Sequence, residues 1–425
     1  MHARVRAILL VAAVTVPGTS FAQPEPGDGA DDTTEKPAGP FDKGDGADNS
    51  TEGTPKEPPT AAATQATEAA SESPSPPPEP EADAAPKGFT WAPYGYLRLQ
   101  YVAVQNDPNV AFVGRGDGFE LQNARVGVRG QLDDRASFVV SFDGAVDERD
   151  RVNVPQGRLR VGLRDAFADL TLTGRVVARA GFFQSIVDPQ ALVPDTRRHL
   201  VDKPLESRGM RATQGFEADG LTPGRSLGAA IRLDPVVEPG GSPAVGFEVA
   251  VQNGADEFAS NNDNDKPAVS AALLARFPND GFLVIAGRFN PRTVGELPFR
   301  QDETDLQGSA GVGISVGPVS LGAGGIFQRT SFPSTGGPVQ NAFGGHAQVM
   351  VTIGAALPIA IGYRFGILDP SSLLVTDRVM EHTAGAVLGV PRYRMRLQLQ
   401  VTHVMEQAAR ELSNSRAQIA AEVTL

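Results

Sequence analysis

From Tyr94 to Leu425 the sequence alternates apolar and polar residues in short segments, sixteen times over. Side chains on a β-strand point to opposite faces with a period of two, so each segment specifies a strand with one apolar and one polar face. The segments run 94–104, 118–131, 135–146, 164–173, 175–183, 225–234, 244–254, 267–277, 281–290, 304–316, 318–329, 341–353, 356–366, 378–389, 392–404 and 413–425. A tilted strand crosses a bilayer in roughly 9 to 11 residues, which these lengths meet. Within 392–404, Arg392, Arg394, Arg396, Gln398, Gln400 and Thr402 alternate with Tyr393, Met395, Leu397, Leu399 and Val401. Sixteen such faces would give a soluble protein a very large apolar surface, whereas lipid covers it in a membrane. The expected fold is therefore all-β: a sixteen-stranded antiparallel transmembrane β-barrel over residues 88–425.

The connections sharpen that expectation. Asp133-Asp134, Gly174, Pro278-Asn279-Asp280, Gly317, Gly354-Ala355 and Val390-Pro391 close alternate hairpins. Between them lie long polar stretches near 105–117, 147–163, 184–224, 255–266, 291–303, 330–340, 367–377 and 405–412. Tight turns at one end and long loops at the other are the asymmetry of outer-membrane barrels. Only 235–243 is longer than its short-turn position calls for.

Before the barrel the texture differs. Arg4 and Arg6, the apolar run from Ala7 to Val16 and the small-residue exit Ser20-Phe21-Ala22 predict a secretory signal peptide over 1–22. Residues 23–87 are Pro, Ala, Ser, Thr, Gly and acidic groups with almost no large apolar side chain, so nothing there offsets the entropy of ordering. They are expected to form a disordered linker. An imperfect repeat within it, 27–35 against 44–52, lacks the full spacing of a calcium loop. An even strand count places this linker in the periplasm of a Gram-negative bacterium. Beyond the signal no apolar run approaches the roughly 20 residues that a membrane helix needs. Cysteine is absent, which excludes disulfides and thiolate metal sites.

The net charge of −12 is unevenly placed, because the linker holds 15 acidic residues against 4 lysines. Residues 88–425 hold 35 acidic against 32 basic side chains, close to neutral. Overall charge thus says little about a ligand and gives no reason to expect nucleic acid as a partner.

The polar faces carry the candidate lumen wall. Arg98 lies opposite Leu97 and Leu99, Arg125 and Arg129 opposite Ala124, Val126 and Val128, and Arg175 and Arg179 opposite Ala178 and Ala180. Arg394 and Arg396 complete the set, while Asp165, Asp169 and Glu422 add acidic groups on the same faces. The longest internal loop, 184–224, holds Arg197, Arg198, Lys203, Arg208 and Arg211. Folded inward, it would narrow a pore and offer an anion charge-assisted hydrogen bonds in place of its hydration. Left outside, its cations would meet lipopolysaccharide phosphates.

Catalytic and metal motifs are scarce. His2, His199, His346, His382 and His403 are scattered, with no metal-ligand pair and no nucleophile elbow. A lipase of the outer membrane would need a serine beside an outward histidine, and the sequence assigns none to His382 or His403. The glycines Gly311, Gly313, Gly322, Gly324 and Gly325 sit inside alternating segments with no helix to follow, so they read as close packing in the wall. No enzyme activity and no cofactor is expected.

Several stretches resemble the phosphate-selective porin O/P family. They are Phe119-Glu120-Leu121-Gln122-Asn123-Ala124-Arg125-Val126, Ser137-Phe138-Val139-Val140-Ser141-Phe142-Asp143, Asp165-Ala166-Phe167-Ala168-Asp169 and Ala180-Gly181-Phe182-Phe183. Arg225-Ser226-Leu227-Gly228 and Gln252-Asn253-Gly254 extend the likeness, which is clearest between 94 and 290. The resemblance implies a sixteen-stranded homotrimeric channel of the outer membrane whose inward third loop selects small anions; that loop corresponds here to 184–224. The expected function is passive diffusion of small hydrophilic solutes, with phosphate-like anions favoured. The rival expectation is a structural or adhesive barrel without an open pore.

Overall fold

The computed structural model describes residues 88–425 apart from 115–116, 145–160, 238–240, 256–260, 296–297, 355–356 and 408–410. The predicted signal peptide and linker, and most of the 147–163 loop, lie outside the described residues.

Sixteen strands form in chain order: β1 (Thr90–Val104), β2 (Gly118–Leu132), β3 (Ala136–Asp143), β4 (Gly162–Thr173), β5 (Val176–Gln184), β6 (Arg225–Leu233), β7 (Ala244–Gln252) and β8 (Ala268–Arg276). They continue with β9 (Phe282–Val294), β10 (Gln301–Val316), β11 (Val319–Ser331), β12 (Gln340–Ile353), β13 (Ile359–Asp369), β14 (Val379–Val390), β15 (Met395–Glu406) and β16 (Arg416–Thr424). Each pairs with its sequence neighbours, and β1 pairs antiparallel with β16 from Tyr96↔Thr424 to Val104↔Arg416, which closes the barrel. Closure leaves no backbone edge unpaired, the condition for strands to exist in lipid.

The alternation becomes two faces. On β15, Leu397, Leu399 and Val401 are outward and exposed, while Gln398, Gln400 and Thr402 are inward and buried. On β9, Leu283, Ile285 and Phe289 face out while Phe282, Val284 and Ala286 face in. Apolar side chains exposed outside are what a lipid-facing wall requires; inside, the face is polar on β15 and apolar on β9, where residues of the 185–224 loop pack on it.

At the short-turn end, Asp133, Asn279 and Asp280 hold left-handed backbone with φ of 55°, 62° and 61°. Asn and Asp tolerate that conformation because their short polar side chains bond locally, so turn chemistry and strand ends agree here. The segment 392–404 is corrected at its start: Pro391–Tyr393 form a 3-10 turn and Arg394 is left-handed at φ 50°, so the strand begins at Met395. Alternation had run by coincidence through a turn that the proline ring enforces.

The loop of residues 185–224, between β5 and β6, turns into the lumen and folds there. It contains 3-10 turns at Pro189–Leu192, Asp195–Arg197 and Ala212–Gln214 and one helical turn, α1 (Leu205–Arg208). Residues 200–210 are all buried.

Candidate functional site

Apolar contacts draw the loop inward. Leu205, Met210 and Leu221 of the loop form one buried cluster with Ile326, Ala342, Leu368, Val379 and Val404 of β11 to β15. Ile186, Leu192 and Val193 pack on a second wall cluster that includes Leu274, Phe282 and Val284. Burying a leucine stabilises by about 1.5–3 kcal/mol, so three such residues offset much of the cost of ordering the segment. The wall makes room with glycine. A Cβ on Gly344 would lie 2.5 Å from Glu206 Cβ, and one on Gly311 would lie 2.3 Å from Pro189 Cβ. The close packing read from Gly311 in the sequence is packing against this loop.

Polar anchors then fix the register of loop against wall. Asp202 accepts from Gln418 at 3.0 Å, Gln400 at 3.1 Å and Arg416 at 3.2 Å. Burial alone would raise the Asp202 carboxyl, but Arg208 and Arg416 outweigh it and hold the group well below the usual carboxylate range. Arg416 also donates to Glu381 at 2.9 Å, and Arg208 pairs with the same carboxylate. Arg364 on β13 donates to the backbone carbonyls of Asp202 and Lys203 at 2.9 and 3.1 Å. His346 on β12 meets Glu206 and, at 3.1 Å, Gln190.

A second anchor sits beside the seam of the barrel. Arg98 on β1 donates through Nε to Glu422 on β16 at 2.9 Å and through Nη2 to the Asp195 carbonyl at 2.8 Å. Arg396 donates to Glu422 at 2.9 Å and to the Arg198 carbonyl at 2.8 Å. Tyr96 donates to the Asp195 carboxylate at 2.8 Å, and Arg125 lies 3.0 Å from the same group. Burial would raise the Asp195 carboxyl, yet Arg198 and Arg125 bring it well below its ordinary value.

The sequence candidates therefore separate by location. Arg98, Arg125, Arg179 and Arg396 stand on the inward wall and each meets a carboxylate; Arg179 pairs with Asp169 at 2.7 Å and lies 3.7 Å from the Phe167 ring centre. Arg129 is exposed, 4.2 Å from the Tyr94 ring centre. Arg175 and Arg394 are exposed turn residues, corrected from strand positions by the turns at Gly174 and Pro391. Within the loop, Arg208 and Lys203 are buried, Arg198 pairs with Asp195, and Arg211 lies 3.5 Å from Glu120. Arg197 instead emerges at the short-turn mouth, 2.9 Å from Asp280. The anchoring residues that the sequence did not single out are Arg364, Glu381, Arg416 and Asp202, whose partners lie up to 216 positions apart.

Two cavities flank the loop. One, of about 1510 Å³, opens among the long connections and is lined by loop residues 216–224 and by β9 to β12. The other, of about 1080 Å³, lies towards the short turns and includes Arg197, Arg276, Arg396, His199 and Asp280.

On the outer wall, His403 Nδ1 lies 3.0 Å from the Ser415 hydroxyl, the serine partner that the sequence did not assign. The ring stacked beside His403 is His382, at 6.4 Å between centres, and His382 in turn meets the Tyr363 hydroxyl. What flanks His403 is thus an imidazole and aromatic belt. Among the described residues no group of three or more His, Asp or Glu side chains is placed to hold a metal ion.

A closed barrel of sixteen antiparallel strands with one long connection folded into its lumen is the architecture of the outer-membrane porins. Solved structures share it. The outer membrane channel DcaP of Acinetobacter baumannii superposes with a TM-score of 0.53 at 11% identity, covering 80% of this chain and 98% of that one. An anion-selective porin from Comamonas acidovorans gives 0.52 at 9% identity, over 80% and 100%. OmpF of Salmonella typhi gives 0.52 at 14% identity, over 79% and 97%. At these identities the likeness is one of fold. No protein-family model and no curated protein matches the sequence.

Proposed function

We propose that this protein is a porin of the bacterial outer membrane through which small hydrophilic solutes diffuse passively, with anions such as phosphate favoured. The observation that carries this reading is the loop itself: it lies inside the barrel and leaves a large cavity on either side. The anion preference draws on the short-turn cavity, where Arg197, Arg276 and Arg396 face Asp280. It also draws on Arg125, Arg164, Arg179 and Arg232 of β2, β4, β5 and β6, since guanidinium forks match the oxygens of a phosphate. The resemblance to the phosphate-selective family and the anion-selective neighbour support the same preference. β1 starts at the short-turn end, with Thr90 opposite Gln131, so the linker is assigned to the periplasm and the long loops to lipopolysaccharide outside. A homotrimer is proposed by analogy with OmpT of Vibrio cholerae, solved in a trimer form at 11% identity and a TM-score of 0.50, over 79% of this chain and 99% of that one.

The test is the reversal potential of the purified protein in a planar bilayer under a salt gradient, followed by phosphate titration. An anion-selective current blocked by phosphate supports the whole reading; a phosphate-insensitive or cation-selective current removes the phosphate preference. The burial of residues 200–210 and their anchors on β13 to β16 favour the second reading, a structural barrel sealed by its loop. Silence from a correctly folded barrel decides for it.

A further inference from the structure

We infer that the short-turn cavity is a subsite for organic monocarboxylates with an apolar body, of the benzoate kind, held by the Arg276 guanidinium. The inference deepens the anion reading given above and rests on it only in that the cavity lies open to solutes in the lumen.

The charges of the cavity reduce to one. Among the described residues those lining it are Arg197, Arg276, Arg396 and Asp280. Arg197 is paired with Asp280 at 2.9 Å, and Arg396 is committed to Glu422 at 2.9 Å and to the Arg198 carbonyl at 2.8 Å. Arg276, the last residue of β8, has no hydrogen bond and no ion pair among the described residues. Its guanidinium lies 5.8 Å from the ring centre of Phe282, its cross-strand partner, and the Asp280 carboxylate that attracts it already belongs to Arg197. Arg276 is only part-buried, so its fork keeps surface towards the cavity. Burial and the Arg396 charge push the His199 imidazole below its ordinary value, so that ring adds no second charge at neutral pH.

The walls are the second and independent argument. Leu192, Val193 and Pro194 of the lumen loop line the same cavity with Pro235 and Val237, and none of the five is buried. The last two come from 235–243, the connection that is longer than its short-turn position calls for. Pro235 is seated on glycine, since a Cβ on Gly246 would lie 2.6 Å from its Cδ. A ligand that suits this lining brings one carboxylate for one planar fork, through two parallel N–H···O bonds, and an apolar body for the walls. Inorganic phosphate is the poorer fit here, because it gives up more hydration and finds a single uncommitted fork in return.

The test uses the full chain in detergent and follows the fluorine NMR line width of 4-fluorobenzoate, with benzoate, acetate and inorganic phosphate as competitors. Broadening by the protein is expected, reversed by benzoate at a roughly tenfold lower concentration than by acetate, because the ring leaves water against apolar walls. Phosphate should compete no better than acetate. Arg276→Gln should weaken binding roughly fivefold or more, the share of one part-buried charge-assisted contact. Competition by acetate or phosphate equal to that by benzoate, or undiminished binding in a folded Arg276→Gln, overturns the inference. Should that variant fail to fold, Val237→Asn should lower the advantage of benzoate over acetate roughly twofold, and an unchanged advantage overturns the inference in its place. An anion-selective current without benzoate binding removes this subsite and keeps the anion reading; benzoate binding that Arg276→Gln abolishes, beside a cation-selective current, does the reverse.

Discussion

Replacing Asp202 by Asn tests whether the lumen loop is held by its buried charges. The carboxylate accepts from Gln400, Arg416 and Gln418, and the amide would turn an N–H towards at least one of these donors. Breaking a buried ion pair costs about 3–5 kcal/mol. Arg416 keeps Glu381 at 2.9 Å, so the lower figure of about 3 kcal/mol applies. At about 1.4 kcal/mol per tenfold, the undocked population of the loop then rises roughly 100-fold. Docked, Arg208 is buried and closed to protease. Limited trypsinolysis in detergent, with the cut after Arg208 mapped by mass spectrometry, follows that population directly while opening is fast. A cleavage rate within about threefold of wild type would refute the assignment of Asp202 as an anchor, because it would place the coupling below about 0.7 kcal/mol. The sign of the pH dependence follows from the same geometry. A carboxyl held below its unfolded value near about 3.9 stabilises docking above that pH and loses the effect only as pH falls through the lower folded value. Through this group, wild-type loop protection should therefore stay flat from neutral pH to about pH 5.

Other substitutions probe separate parts of the structure. Gly344→Val should prevent the loop from seating, since its Cβ would meet Glu206, and should raise single-channel conductance while the barrel still resists unfolding in a cold detergent gel. Arg98→Ala leaves Glu422 buried with Arg396 as its remaining partner, and should destabilise the seam by about 3 kcal/mol, read as a lower thermal midpoint. Arg197→Ala breaks an ion pair whose side chains are 65% and 82% exposed, so it should change stability by less than about 0.5 kcal/mol and be separable from Arg208→Ala in the same assay. Ile285→Arg puts a charge on the outward face of β9 and should cost about 2–4 kcal/mol in lipid refolding, unlike the same change at an inward position.

The barrel was legible because its signal is local and repeated. Leu397, Leu399 and Val401 against Gln398, Gln400 and Thr402 declare a strand by themselves, and Asn279-Asp280 declares its turn. Edges fell within about four residues, the widest at the start of β1 and the end of β9, and at Arg392 to Arg394 alternation continued into a proline turn. The loop's length and basic content marked it as the element to watch. What it touches was not legible, because Asp202 meets Gln418 and Arg208 meets Glu381 across gaps of 216 and 173 positions. No local periodicity encodes such pairs, and a buried arginine looks the same in sequence as an exposed one. The make-up of the two cavities was hidden for the same reason: Glu303, Asp377 and Glu406 belong to different hairpins that only closure brings together.

That closure also sets an order of events. β16 completes the ring against β1, and it also supplies Arg416 and Gln418 to Asp202 and Glu422 to Arg98. The loop made midway along the chain therefore lacks these partners until the ring is shut. Anchors on β11 to β15 are in place before then, but these contacts are not, so a fully protected loop reports that the wall is whole.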